Sequence, residues 1–299
     1  MDFSFIIPAY NEAANIAVTI DSIRQNVPGN CQFEIIVVDH GSTDDTVELA
    51  QNCGAKLVPH PEGTIAKLRN IGVGHSTGNV LVFLDADIRL TQEWGVRISE
   101  VARLLTAGER ILTGSRCGIP DNPGLIEKFW FKPLIRGNSS YINSGHLIIS
   151  RHLFDEIGGF NEKLETGEDY DFSMRARAVN IKPVDDARLR VVHEGYPKNL
   201  YEFAKREYWH GQGDAASIAF LVNSKVAVTA SLFIMLHLAL LFFASLGNEL
   251  AVYTIVSAIA GLILASAVFK YRSEPISTIL VNSSLYYVYF FARGLSILS

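Results

Sequence analysis

The chain has 299 residues, 48% of them hydrophobic, with a mean hydropathy of +0.20 and a formal net charge of −5. That is too apolar for an ordinary soluble enzyme and too acidic for a protein whose main ligand is nucleic acid. The three scattered cysteines, Cys31, Cys53 and Cys117, give neither a metal-ligand spacing nor an even disulfide framework, which fits a reducing compartment.

The N-terminus, MDFSFIIPAYNEAAN, lacks a basic leader and turns polar after a short apolar run, so no signal peptide is expected. Phe3–Pro8 reads as a strand. Ile16, Ile20, Ile23 and Val27 then recur at helical spacing before a Pro28-Gly29 stop. Phe33–Asp39 is a second strand, and Ser42 or Thr43 is expected to cap the helix that Gly54 closes. Lys56–Val58 is a short third strand, Ile65–Gly74 a helix and Val80–Asp85 the central strand. Thr91 caps a further helix whose Trp94, Ile98, Val101 and Leu105 share one face, with Gly108 after it. Strand alternating with helix implies an α/β domain with a mostly parallel sheet covered on both faces.

Farther on, glycines introduce the acids Glu168, Asp169 and Asp171 ahead of a helical stretch, Phe172–Ala178, and the apolar strand Leu189–Val192 ends at His193. Tyr196–Trp209 mixes basic and aromatic residues, as a helix on a bilayer surface would; an amphipathic core helix is the plainer alternative. Three apolar runs close the chain: Val226–Leu246, Leu250–Phe269 and Ile276–Ala292. The first two can each cross a hydrocarbon core of about 30 Å, and neither contains Asp, Glu, Lys or Arg. The third is shorter, rich in Tyr and stopped by Arg293, so it either spans, tilts or lies partly at the interface. Past Lys225 the chain carries +3 and −2, leaving −6 for the residues before. Lys270 and Arg272 put the loop between the second and third runs on the cytoplasmic side, and the front domain with it. The expected organisation is a catalytic domain over 1–195, interfacial or linker helices over 196–225, and a membrane domain over 226–299 with two or three transmembrane helices.

In open α/β sheets ligands bind outside the carboxyl ends of the strands. Three polar clusters fall there: Pro8-Ala9-Tyr10-Asn11-Glu12, Asp39-His40-Gly41-Ser42-Thr43-Asp44 and Asp85-Ala86-Asp87. On an extended strand, Asp85 and Asp87 point to the same side. Two adjacent anions need a cation, and an open Mg²⁺ or Mn²⁺ site completed by a diphosphate suits them; the alternative is a pair capping a strand-to-helix turn. One acid of the Glu168–Asp171 group could act as a general base, although an acidic first helical turn explains the same residues. His193 is either a neutral metal ligand or a structural strand-end histidine. No Walker A loop, dinucleotide fingerprint or zinc-protease motif is present.

The stretches IIPAYNEAANI, VVDHGSTDDT, LRNIGVGHSTGNVLVFLDADI and GGFNEKLETGEDYDFSMRA resemble, in order and spacing, those of family 2 glycosyltransferases, over about Phe3–Glu194. The resemblance implies a GT-A fold, Rossmann-like and followed here by C-terminal transmembrane helices, and an inverting, metal-dependent transferase. It implies that Pro8, Tyr10 and Glu12 line the nucleotide pocket and Asp39 reads the base. Arg69 and Asn70 would lie by the nucleotide and phosphates, and Asp85-Ala86-Asp87 would meet the ribose and metal. Asp87 would hold Mg²⁺ or Mn²⁺, with Asp85 and His193 as further ligands. Asp169 would be the general base, with Glu168 as the other assignment. His40 departs from the family, which carries a second acid at that position. The Gln-x-x-Arg-Trp signature of processive synthases is missing, so transfer of a single sugar is expected. The implied partners are a nucleotide-diphosphate sugar, UDP-sugar favoured, a saccharide or lipid-linked hydroxyl acceptor, and membrane lipid. A polyprenyl-phosphate acceptor is the alternative within the class. A sugar nucleotidyltransferase is the alternative outside it, though PAYNEAANI has none of the Gly, Lys or Arg of its usual first loop. A non-catalytic membrane scaffold is a third reading. The implied location is the cell inner or plasma membrane, multi-pass, with homo-oligomerisation left open.

Overall fold

The computed structural model describes residues 2–135, 141–214 and 224–298. The chain divides into two compact units, Met1–Pro120 with Gly137–Gly195, and Asp121–Arg136 with Tyr196–Ser299.

The first unit runs β1 (Asp2–Ala9), α1 (Ile16–Asn26), β2 (Gln32–Asp39), α2 (Thr46–Asn52), β3 (Lys56–Pro59), α3 (Ile65–Gly74), β4 (Val80–Leu84), β5 (Ile88–Leu90), α4 (Gln92–Thr106) and β6 (Leu112–Gly114). After α5 (Lys132–Ile135), which belongs to the second unit, come β7 (His146–Ser150), α6 (Arg151–Ile157), α7 (Glu168–Ala178), β8 (Val184–Asp185) and β9 (Val191–His193). The main sheet has the order β3-β2-β1-β4-β7-β6-β8. Its first four strands are parallel, β7 is antiparallel to both β4 and β6, and β8 runs parallel to β6. β5 and β9 form a separate antiparallel ribbon that sets Ile88 opposite His193.

Strand parity divides the core. Phe3, Phe5 and Ile7 of β1 with Val82 and Leu84 of β4 pack beneath α1 and α4, while Ile6, Leu81 and Phe83 face α6 and α7. Both faces are covered, so these strands read as unbroken apolar runs instead of alternating ones. Each fully buried Phe or Ile contributes about 1.5–3 kcal/mol.

Two local expectations are corrected. Neither Ser42 nor Thr43 caps α2, which starts at Thr46 after Asp45. Their polar groups are taken by the preceding loop: Asn11 N–H donates to Ser42 Oγ at 3.0 Å and Thr43 N–H to Asn11 Oδ1 at 2.8 Å. The central strand stops at Leu84, and Asp85–Asp87 form a turn closed by Ile88 N–H donating to the Asp85 carbonyl at 3.1 Å. The parity of an extended strand therefore does not set the directions of the two aspartates.

The second unit consists of a π-helical turn, Glu127–Phe131, leading into α5, then α8 (Leu200–Asp214) and helices Lys225–Ser245, Glu249–Tyr271 and Ile276–Leu298. Trp130 is its hub, against Phe203, Tyr286 and Tyr289. Tyr271 Oη donates to the Trp130 carbonyl and Asn282 Nδ2 to that of Phe129. Lys225–Ser245 and Glu249–Tyr271 are long and apolar enough to cross a membrane, and most of their apolar surface is uncovered, as at Met235, Leu241, Leu250 and Phe269. Ile276–Leu298 packs on α8 and on both of those helices. Arg293 does not stop this helix, as the sequence suggested. Its charge is satisfied by the buried Glu207 of α8, with Nη2 and Nε 2.9 and 3.1 Å from Oε2, so the helix continues to Leu298.

Candidate active site

The ends of β1, β2 and β4 lie side by side, and the three polar loops meet there with the end of β9. They enclose a cleft of about 300 Å³ lined by Pro8, Tyr10, Glu12, His40, Asp85-Ala86-Asp87 and His193, with Ile65 and Leu68 of α3 as an apolar wall. Tyr10 is 56% exposed, its ring edge-on to His40 at 5.9 Å. Asn11 shapes this loop, adopting a left-handed conformation (φ 55°) that an asparagine tolerates. Asp39 is buried, and its oxygens accept from Gly41 N–H at 3.0 Å and Ser42 N–H at 3.1 Å. It shapes the loop, while His40 is the member of the pair that lines the cleft.

Burial pushes the Glu12 carboxyl above the usual range; the charges of Asp87 and Asp85 add to this, and a hydrogen bond from Asn15 opposes it. The turn sends the two aspartates to different neighbours. Asp85 Oδ1 accepts from Arg69 Nη2 at 2.7 Å, while Asp87 Oδ2 is 3.4 Å from His193 Nε2. Backbone approaches both closely enough that a Cβ at Gly145 would collide with Asp85 Oδ2, and one at Gly195 with Asp87 Oδ2.

Arg69 is 2% exposed, and its guanidinium joins two carboxylates, donating through Nη2 to Asp85 and through Nη1 to Glu168 at 2.8 Å. Glu168 also accepts from Ser144 Oγ at 2.7 Å, so its buried carboxyl group is hydrogen-bonded by both residues. Asp169 beside it is only partly buried, with Oδ2 accepting from Asn143 Nδ2 at 3.1 Å. Burial first and the Glu168 charge second raise the Asp169 carboxyl above its usual range, as suits a group that takes up a proton. Both lie outside the lining of the cleft, and Glu168 connects to it through Arg69. Asn70 is occupied elsewhere: Nδ2 donates to the Phe160 carbonyl at 2.8 Å and to Glu162 Oε1 at 2.9 Å, and Oδ1 accepts from Phe160 N–H. It pins the glycine-rich loop ahead of α7.

Asn143 and Ser144, which hold the two acids, were not foreseen. They precede β7, a lone antiparallel strand whose sequence, HLIIS, carries no chemical motif.

For a divalent cation, the cleft offers one carboxylate and one imidazole that converge, Asp87 and His193, while Asp85 gives one oxygen to Arg69. Among the described residues no group of three or more His, Cys, Asp or Glu is gathered to enclose a metal. That donor set fits an open site for a hard or borderline cation whose remaining ligands are substrate oxygens.

The family profile described as Glycosyl transferase family 2 matches residues 4–161, more than half of the chain. The chain is a family 2 glycosyltransferase. Among its relatives, the PGL/p-HBAD biosynthesis glycosyltransferase of Mycobacterium tuberculosis is 31% identical over 189 residues, covering 58% of this chain and 68% of that one. Glycosyltransferase AglE of Haloferax volcanii is 27% identical over 223 residues, 70% of this transferase and 72% of AglE. Among solved structures, the mannosyltransferase PcManGT of Pyrobaculum calidifontis, in complex with GDP-Man and Mn²⁺, superposes with a TM-score of 0.54 at 17% identity. That match covers 99% of this chain and 86% of the other. GalNAc-T7, solved with UDP, GalNAc and Mn²⁺, gives 0.51 at 17% identity, over 73% and 51%. At such identities these two establish the GT-A fold, and the transferase has it.

Proposed function

We propose that this transferase moves one sugar from a nucleoside-diphosphate sugar, UDP-sugar favoured, to a hydroxyl on a saccharide or lipid-linked acceptor, with inversion at the anomeric carbon. The observation that carries this reading is the split of the acids into two stations, Asp87 with His193 in the cleft and Asp169 beyond it, joined through Asp85–Arg69–Glu168. Inverting displacement requires such a division, because the nucleotide departs from one face of the sugar while the hydroxyl arrives at the other.

Tyr10, Glu12 and the α3 wall line the donor end. Asp87 and His193 would hold Mg²⁺ or Mn²⁺, which when bound offsets charge on the departing diphosphate. Asp169, raised toward useful basicity, takes the proton of the acceptor hydroxyl. Arg69 holds Glu168 in place, so the first turn of α7 presents Asp169 in one orientation. PcManGT and GalNAc-T7, with their nucleotide and Mn²⁺, support the donor class and the cation. The names of the mycobacterial relative and of amylovoran transferase AmsB of Erwinia amylovora, 27% identical over 205 residues, favour a role in building a polysaccharide or glycolipid.

The two apolar helices would anchor the chain as membrane spans, with Lys270 and Arg272 and the first unit on the cytoplasmic side. The test is turnover of a panel of nucleotide sugars by purified protein, with and without Mn²⁺, followed by NMR of the product anomer. An inverted anomer formed only with the cation is expected; retention, or indifference to EDTA, would overturn the scheme.

A further inference from the structure

We propose that Arg206 and Lys270 bind the phosphate of an anionic lipid headgroup; this rests on the reading of the two apolar helices as membrane spans. The site is a closed circuit of contacts within the second unit. Arg206 Nη1 lies 3.1 Å from Glu207 Oε1, and Arg293 Nη2 lies 2.9 Å from Oε2 of the same carboxylate. Arg293 also covers the Tyr289 ring at 5.3 Å, Tyr289 lies 5.2 Å from Trp130, and Lys270 Nζ stands over Trp130 at 4.8 Å. Phe131, next in the chain, carries the Arg206 guanidinium at 4.8 Å and closes the circuit. Three cations thus share one carboxylate, and Glu127, also buried in this unit, is taken by Lys198 at 2.6 Å. The aromatic faces hold the cations in place but supply no countercharge. Arg293 is committed to Glu207 and only 14% exposed at its side chain. Arg206 is 38% exposed there, and Lys270, also exposed, makes no ion pair among the described residues.

The anion that suits this surplus has several oxygens. A phosphate can take an ammonium and the guanidinium N–H groups that Glu207 does not use at the same time. The position of the cluster points to a lipid as its source. Lys270 is the penultimate residue of the helix Glu249–Tyr271, along which Leu250, Val256, Leu264 and Phe269 are uncovered. An acyl chain lying on that helix brings its headgroup to the helix end, where basic residues attract anionic lipids. A soluble anion gains nothing from the apolar flank.

The experiment counts lipids retained by the full detergent-solubilised chain in native mass spectrometry. Phosphatidylglycerol and phosphatidylcholine are titrated into the native protein and into the double variant Arg206→Gln with Lys270→Gln. The native chain is expected to favour phosphatidylglycerol by about tenfold or more, and the double variant by less than about threefold. Arg206→Lys with Lys270→Arg, which keeps both charges, should retain most of the preference. Lys132→Gln, which removes an exposed cation outside the circuit, should retain all of it. A preference untouched by the double variant, or lost equally in Lys132→Gln or in the charge-keeping pair, overturns the assignment. Displacement of phosphatidylglycerol by inorganic phosphate also overturns it, because the occupant is then a soluble anion. Flotation with phosphatidylcholine vesicles separates the site from its premise. A native chain that floats yet shows no anionic preference loses the headgroup site alone; one that stays behind loses the membrane reading and the site with it.

Discussion

In the first unit, Phe5, Ile6 and Phe83 are fully buried and the carboxylates gather at the strand ends; in the second, Leu241, Leu250 and Phe269 are exposed while Glu127 and Glu207 are buried. Charge divides in the same way. Acidic residues outnumber basic ones by 24 to 16 in the first unit, and basic outnumber acidic by 10 to 7 in the second. The helical unit exposes leucine on its long apolar helices and holds two of its carboxylates in ion pairs, Lys198 with Glu127 at 2.6 Å and Arg293 with Glu207, a pattern that suits the membrane anchor proposed above. The sheet does the opposite, burying its apolar residues and leaving polar ones at its rim. The same apolar and acidic residue types are thus placed oppositely in the two units of one chain.

The sharpest break in this comparison is chemical. If Asp169 is the base proposed above, Asp169→Asn should lower kcat by about 10²–10⁴-fold while nucleotide binding and thermal unfolding stay unchanged, because only the acceptor side is then affected. Near-native turnover by that variant would move the base elsewhere. Next in size are the buried charges of the second unit. Glu207→Ala removes the buried carboxylate that pairs with both Arg293 and Arg206 and should cost about 3–5 kcal/mol in unfolding of the solubilised chain, whereas Glu207→Met with Arg293→Met should lie closer to native. Equal losses from both would mean that packing, not charge pairing, holds α8 to the helix Ile276–Leu298. The apolar residues supply a paired test. Phe5→Ala should cost about 3–5 kcal/mol and Leu241→Ala, 69% exposed, less than about 0.5 kcal/mol in detergent. A large loss at Leu241 would identify a covered face.

The smallest effect concerns pH. As the proposed base, Asp169 must be ionised to act, so activity should fall as pH drops through its raised pKa. Removing the neighbouring charge with Glu168→Gln lowers that pKa, and the acid limb of kcat/KM should move to lower pH by less than about one unit. A shift to higher pH would contradict the placement of the two acids.

Much of this was legible in the sequence wherever periodicity or end signals were strong. α3 runs over the expected Ile65–Gly74, and Thr91 caps α4 by accepting from Trp94 N–H. The three loop clusters meet because parallel strands with right-handed crossovers share one carboxyl rim. What was not legible depends on partners distant in sequence. Nothing local indicates that Arg69 will reach Glu168, 99 residues on, or that Asp85–Asp87 will turn once β5 pairs with β9. Ser42 and Thr43 looked like caps because their chemistry is that of caps, but a loop 31–32 residues upstream competes for the same groups. The paired charge of Arg293 was equally hidden, since its carboxylate lies on α8.

The account depends most directly on the Asp87–His193 pair as the seat of a divalent cation. Titration of Mn²⁺ followed by its EPR signal, with and without UDP, GDP and dTDP, examines that pair alone. The account predicts weak binding by the native chain that tightens when an accepted nucleotide is added, and loss of the tightening in Asp87→Asn and His193→Ala. Tight, nucleotide-enhanced Mn²⁺ binding that persists in both variants would contradict it.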